Sequence, residues 1–123
     1  GCFLSVHEGP ISISKNSDSI IKSGMVISNE PGYYKNGEYG IRIENLEIVS
    51  KKYFKDNKET YLCLENITRV PIELDLIDKE KLSEDEISWI NHYHDKVYKD
   101  LSQLVDNKNL ELLNFLKIKT LHI

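Results

Sequence analysis

Two periodicities divide the chain. Up to about Pro71 apolar and polar residues alternate in short runs, the period of a half-buried strand, punctuated by Gly9-Pro10, Ser23-Gly24, Pro31-Gly32 and Asn36-Gly37. Residues 25–28 and 40–49 carry the strongest alternation and are expected as antiparallel strands, with Asn36-Gly37 forming a turn that needs positive φ. The lysine-rich stretch 51–59 reads as a solvated hairpin loop, and 60–71 as the returning strand. From Ser83 the period lengthens: Ile87, Ile90, Val97, Leu101 and Leu104 fall on one helical face. Ser83 and Glu86 form an S-x-x-E capping box that starts this helix near Glu84, and Asp106-Asn107 is expected to end it. Leu110, Leu113 and Leu116 predict a second, shorter helix closing the chain. The fold class is α+β, with a β portion over 1–73 and a helical extension over 74–123.

Composition narrows the partners more than the fold. The chain has 123 residues, 40% of them hydrophobic and 29% charged, as befits one modest core. A net charge of -4, with both signs scattered and no basic stripe, argues against nucleic acid. No apolar run reaches the roughly 18 residues needed to cross a bilayer, so no membrane partner is expected. Cys2 and Cys63 are too few for a disulfide framework, read as small buried hydrophobes, and favour a cytoplasmic setting. The chain opens directly into the strand-like Cys2-Phe3-Leu4-Ser5-Val6, the reading of a segment that begins in mid-domain.

Candidate chemistry lies at predicted strand ends. Glu30 stands just before Pro31-Gly32, and Glu44 follows Arg42 by two residues, so that Arg42 and Glu44 share one face of a strand while Ile41 and Ile43 turn into packing. Carboxylates so placed need a cation, whether an arginine or a metal ion. His7, before Glu8-Gly9-Pro10, is the best candidate for moving a proton near neutral pH. His92 and His94 lie two apart, too far around a helix to share a metal, and are expected at the surface. Trp89 and Tyr93 are spaced for packing on one helical face, whereas Tyr33, Tyr34 and Tyr39 suit either a pocket wall or packing with one polar tip. Two glutamates, an arginine and a histidine match the needs of a hydrolytic metal site, in which a bridging carboxylate can hold two ions around a shared water. Two glutamates alone do not saturate such a pair.

The motifs Val6-His7-Glu8-Gly9-Pro10, Asn29-Glu30-Pro31-Gly32-Tyr33-Tyr34 and Gly40-Ile41-Arg42-Ile43-Glu44-Asn45 resemble, in order and spacing, the C-terminal half of the pita-bread metallopeptidases. The eukaryotic-type Xaa-Pro aminopeptidases are the nearest branch, and the similarity continues through 64–72 and 82–94. The resemblance implies a curved antiparallel sheet backed by helices, the C-terminal half of a pita-bread fold, and two divalent metal ions, usually Mn2+. By motif matching Glu30 ligates one metal and assists proton transfer, Glu44 bridges both, His7 steadies the tetrahedral intermediate and Arg42 orients the carboxylates. The first of the family's paired histidines and both ligating aspartates would fall before Gly1. A parent enzyme releasing the residue before proline from a peptide is thus implied, acting as a homodimer in the cytoplasm. The segment alone is expected to be inactive and, with an uncovered sheet edge, to self-associate. The alternative is a pita-bread module that binds peptides or scaffolds without catalysis.

Overall fold

Strands β1 (Val26–Asn29), β2 (Gly32–Lys35) and β3 (Tyr39–Arg42) lead into the long β4 (Asn45–Phe54) and β5 (Glu59–Asn66). A computed structural model describes residues 9–123, which places His7 and Cys2 outside the described residues. β1, β4 and β5 form a three-stranded antiparallel sheet in the order β1-β4-β5, and β2 with β3 a two-stranded one. The β2–β3 turn is the expected one. Glu38 N–H donates to Lys35 O at 3.1 Å, and Gly37 takes φ 72°, the positive value that the third residue of a type II turn requires.

The two ladders share one register. Asn29 faces Asn45 in one and Gly32 faces Arg42 in the other, so between them fall Glu30 opposite Glu44 and Pro31 opposite Ile43. Proline has no amide hydrogen. Pro31 accepts from Ile43 N–H at 3.3 Å but returns nothing, and there the ladder parts into two sheets. The single strand expected over 40–49 is for this reason divided into β3 and β4. Ile41 and Ile43, expected in packing, are 46% and 44% exposed.

β4 also runs farther than its charge suggests. Residues up to Phe54 keep ladder partners in β5, and the loop shrinks to 55–58, closed by Lys58 at φ 57°. The Phe54 ring meets Tyr61 edge-on at 5.5 Å, and the Lys52 ammonium lies 5.4 Å from the Phe54 centroid. A cross-strand ring contact and a same-strand cation contact of this kind stabilise a strand where composition alone reads as loop. β5 stops at Asn66 rather than running to residue 71. Ile67 N–H then turns to Leu46 O, and the Thr68 hydroxyl accepts from Leu46 N–H. Along β4, Asn45, Glu47 and Val49 are buried on one face.

One compact unit ends at Thr68 and the other is Arg69–Ile123. The second holds two 3-10 turns (Leu74–Leu76, Lys79–Lys81) and the helices α1 (Glu84–Ser102) and α2 (Leu110–Lys119). The Ser83 hydroxyl accepts from Glu86 N–H and the Glu86 carboxylate accepts from Ser83 N–H, the reciprocal box read from the sequence. These bonds hold the Glu86 carboxyl below its ordinary range. α1 ends at Ser102, ahead of Asp106-Asn107. Leu104 N–H tightens onto Leu101 O and the Leu104 side chain is 81% exposed, so no packing extends the helix.

Ile90, Tyr93, His94 and Val97 of α1 and Leu116 of α2 form the core of this unit. His94 corrects the expectation of a surface residue. Fully buried, it has Nε2 accepting from Ile72 N–H at 3.0 Å and Nδ1 paired with Leu121 O at 2.9 Å, which assigns the Nδ1–H tautomer. Tyr93 donates to Val70 O at 2.7 Å, and burial raises its pKa. Trp89, expected in packing, stacks parallel on Tyr93 at 5.6 Å but keeps 49% exposure.

Candidate metal centre

Glu30 and Glu44 meet because of the register. They occupy facing positions in the gap between the ladders, flanked by the paired Asn29 and Asn45 on one side and by Pro31 and Ile43 on the other. At such non-hydrogen-bonded positions backbones approach most closely and side chains rise on one face. Two like charges directly opposite each other repel unless a cation lies between them.

Arg42 supplies that cation. Its Nη1 lies 2.8 Å from Glu30 Oε2 and 3.6 Å from Glu44 Oε2, so the two oxygen atoms are no farther apart than the sum of those distances. Arg42 reaches across because its own ladder partner is Gly32, which has no side chain in the way. The bond to Glu30, then the neighbouring Tyr34 and the two carboxylates, raise the guanidinium pKa above its ordinary value. The Ser28 hydroxyl, on the same face, approaches Glu30 Oε1 at 3.4 Å. Glu30 is the more enclosed acid, its side chain 24% exposed against 49% for Glu44. Glu44 is thus open to solvent, rather than held among apolar neighbours.

Tyr34 is the member of this site that sequence reasoning left undecided. A Cβ at Gly32 would stand 2.6 Å from the Tyr34 hydroxyl, and one at Gly40 2.7 Å from its Cδ1. The ring therefore lies across two glycines, on the face that carries Arg42 and both acids. The signal was present as glycine at both positions that a facing aromatic would need clear. Tyr33, on the opposite face, tilts against Tyr39 at 6.2 Å, and all three tyrosines are exposed.

Carboxylate pairs with one shared face are hard-donor sets of the kind divalent ions take. Among the described residues no group of three or more histidine, cysteine, aspartate or glutamate side chains converges. Glu30 and Glu44 thus fit a divalent metal as a partial ligand set. Arg42 occupies the space between them as a counter-charge. Also among the described residues, no helix is long and apolar enough to cross a membrane, and Cys63 is a half-buried free thiol.

Comparison with known proteins places these residues in context. Residues 60–123 match the family model of the C-terminal region of peptidase M24, and residues 1–51 match metallopeptidase family M24. A probable Xaa-Pro aminopeptidase P of Coprinopsis cinerea is 43% identical over 98% of the chain, and Xaa-Pro aminopeptidase 1 of Dictyostelium discoideum is 40% identical over 95%. The chain spans 20% and 19% of the length of these two relatives. Among solved structures, the X-prolyl aminopeptidase of Caenorhabditis elegans, described as a cytosolic enzyme with a di-nuclear active site, superposes with a TM-score of 0.84. The identity there is 33%, over 98% of the chain and 20% of that enzyme.

Proposed function

The chain belongs to the M24 metallopeptidases and has the fold of the C-terminal half of their pita-bread architecture, and from that premise we propose that it contributes the glutamate side of a two-metal aminopeptidase site. The substrate class is a peptide with proline second, and the bond cleaved is the one before that proline. The observation that carries this reading is the convergence of Glu30 and Glu44 on a single Arg42 nitrogen. The rest of the ligand set would come from polypeptide corresponding to the remainder of the relatives' length.

Glu30 and Glu44 would hold two divalent ions, Mn2+ being our choice, with Glu44 shared between them. When bound, such ions supply Lewis acidity for carbonyl polarisation and charge neutralisation. Arg42 holds both carboxylates on one point, as the counter-charge that entering metal ions would displace. Glu30, the more enclosed acid, is suited to take and return a proton at its Oε atoms during hydrolysis. His7 is assigned to the oxyanion that develops on the scissile carbonyl. The same reading places the protein in the cytoplasm as a homodimer, and treats 1–73 and 74–123 as catalytic and accessory portions.

Calorimetric titration of Mn2+ into the full-length protein carrying this segment tests the proposal. Two ions per chain are expected, with at least one lost in Glu44→Gln together with Xaa-Pro hydrolysis. Absence of stoichiometric uptake, or activity untouched by Glu44→Gln, would eliminate it. Sedimentation of the same protein checks the dimer, which a concentration-independent monomer would contradict.

A further inference from the structure

Glu47 is the one carboxylate buried among the described residues, at 8% exposure. Its Oε2 accepts from Asn29 Nδ2 at 3.2 Å, a diagonal contact across the β1–β4 ladder. Asn45, also buried, lies two residues back on the same face, and Asn66 is the ladder partner of Glu47 in β5. Three carboxamide side chains thus share a sheet face with one carboxylate. The opposite face carries Ser28, Glu30 and Glu44.

Stability alone does not account for this carboxylate. A buried charge is costly, and exchanging one for an apolar residue of similar volume is often neutral or stabilising. What a polar contact of this kind adds is register. A one-residue slip of β1 along β4 would turn every side chain to the wrong face, but a two-residue slip keeps the faces and is opposed only by specific contacts. Here the turn at Asn36-Gly37 does not impose register by itself, because Pro31 has no amide hydrogen to return to Ile43 and the ladder parts there. Asn29 immediately precedes Glu30, and Glu47 lies three residues past Glu44. A two-residue slip would move Glu30 from opposite Glu44 to opposite Leu46, with Asn29 then facing Glu47, or to opposite Arg42, with Asn29 then facing Ile43 and out of reach of Glu47.

We propose that Asn29 and Glu47 are positioning residues whose part-buried amide–carboxylate bond holds the β1–β4 register against slip toward Arg42 and so keeps Glu30 opposite Glu44 for metal binding. This rests on the metal site proposed above. Slip toward Arg42 carries Asn29 to a place opposite Ile43 and loses both the bond and the facing of the two acids.

The test uses the full-length protein carrying this segment, titrated with Mn2+ alone. Glu47→Leu is expected to weaken metal affinity roughly tenfold while the melting temperature of the metal-free protein stays level or rises. Glu47→Gln, whose amide oxygen still accepts from Asn29, is expected to restore most of the affinity. Asn29→Ala removes the donor instead, reproduces the loss and covers the case in which Glu47→Leu does not fold. Amide exchange across residues 26–29 and 45–48 in the metal-free protein should quicken in both weakened variants. Wild-type affinity in Glu47→Leu or Asn29→Ala overturns the proposal, as does a loss of affinity that only parallels a fall in melting temperature. If the unaltered protein takes up no metal, the underlying site reading fails, a result distinct from these.

Discussion

At the residue scale the decisive object is Arg42, because one guanidinium turns a repulsive pair of acids into a site. Reading the sequence had placed Arg42 and Glu44 on one strand face, and the 3.6 Å approach agrees with it. Strand alternation had no means of adding Glu30, which arrives from the other arm of the hairpin; the family motifs were what grouped it with Glu44. His94 shows the opposite outcome. Its place beside His92 and Asp95 looked like solvated helix, yet it is fully buried and joins Ile72 to Leu121 through both ring nitrogens. No local pattern announces a bond to chain segments more than twenty residues away on either side. Replacing His94 by alanine strands an amide and a carbonyl and opens a void, and is expected to cost about 3 kcal/mol. Urea unfolding followed by Trp89, the single tryptophan, checks this, and a loss under about 1 kcal/mol would contradict it.

Elements came through where their signals are local. The α1 start was legible to the residue because a capping box needs only Ser83 and Glu86, three positions apart. Ser83→Ala should lower stability by about 1 kcal/mol, measured in the same unfolding experiment; an unchanged midpoint would show that the box contributes nothing. Strand ends were less legible. β4 passes through Lys51 and Lys52 into Phe54 because partners in β5 stabilise it, and those partners are invisible to a window that sees one strand. The division of β3 from β4 followed from a residue in neither strand: Pro31 withholds an amide from Ile43.

On the scale of the whole molecule, charge sets the response to acid. In the Arg69–Ile123 unit Asp100 bonds Arg69 at 2.5 Å and Glu73 bonds Lys119 at 2.8 Å, and these partners, like the Ser83 cap on Glu86, pull the carboxyls below their ordinary range. Groups with depressed folded pKa values stabilise the fold above their unfolded pKa, and that contribution is lost as pH falls through the folded values. Stability of this unit is therefore expected to be level from about pH 7 to pH 5 and to decline below about pH 4, modestly, since Glu73 and Glu86 are exposed and Asp100 is only half-buried. A decline that begins near neutrality would point to other groups. By itself the sequence determined the α+β order, the turn at Asn36-Gly37, the helix start and the family, because each depends on neighbours within a few positions or on motif spacing. Only tertiary structure decided that Glu30 faces Glu44, that Tyr34 lies over two glycines, and that Glu47 and His94 are buried. Those facts depend on which strands or segments become neighbours, and the energy of that choice resides in pairs of residues far apart along the chain.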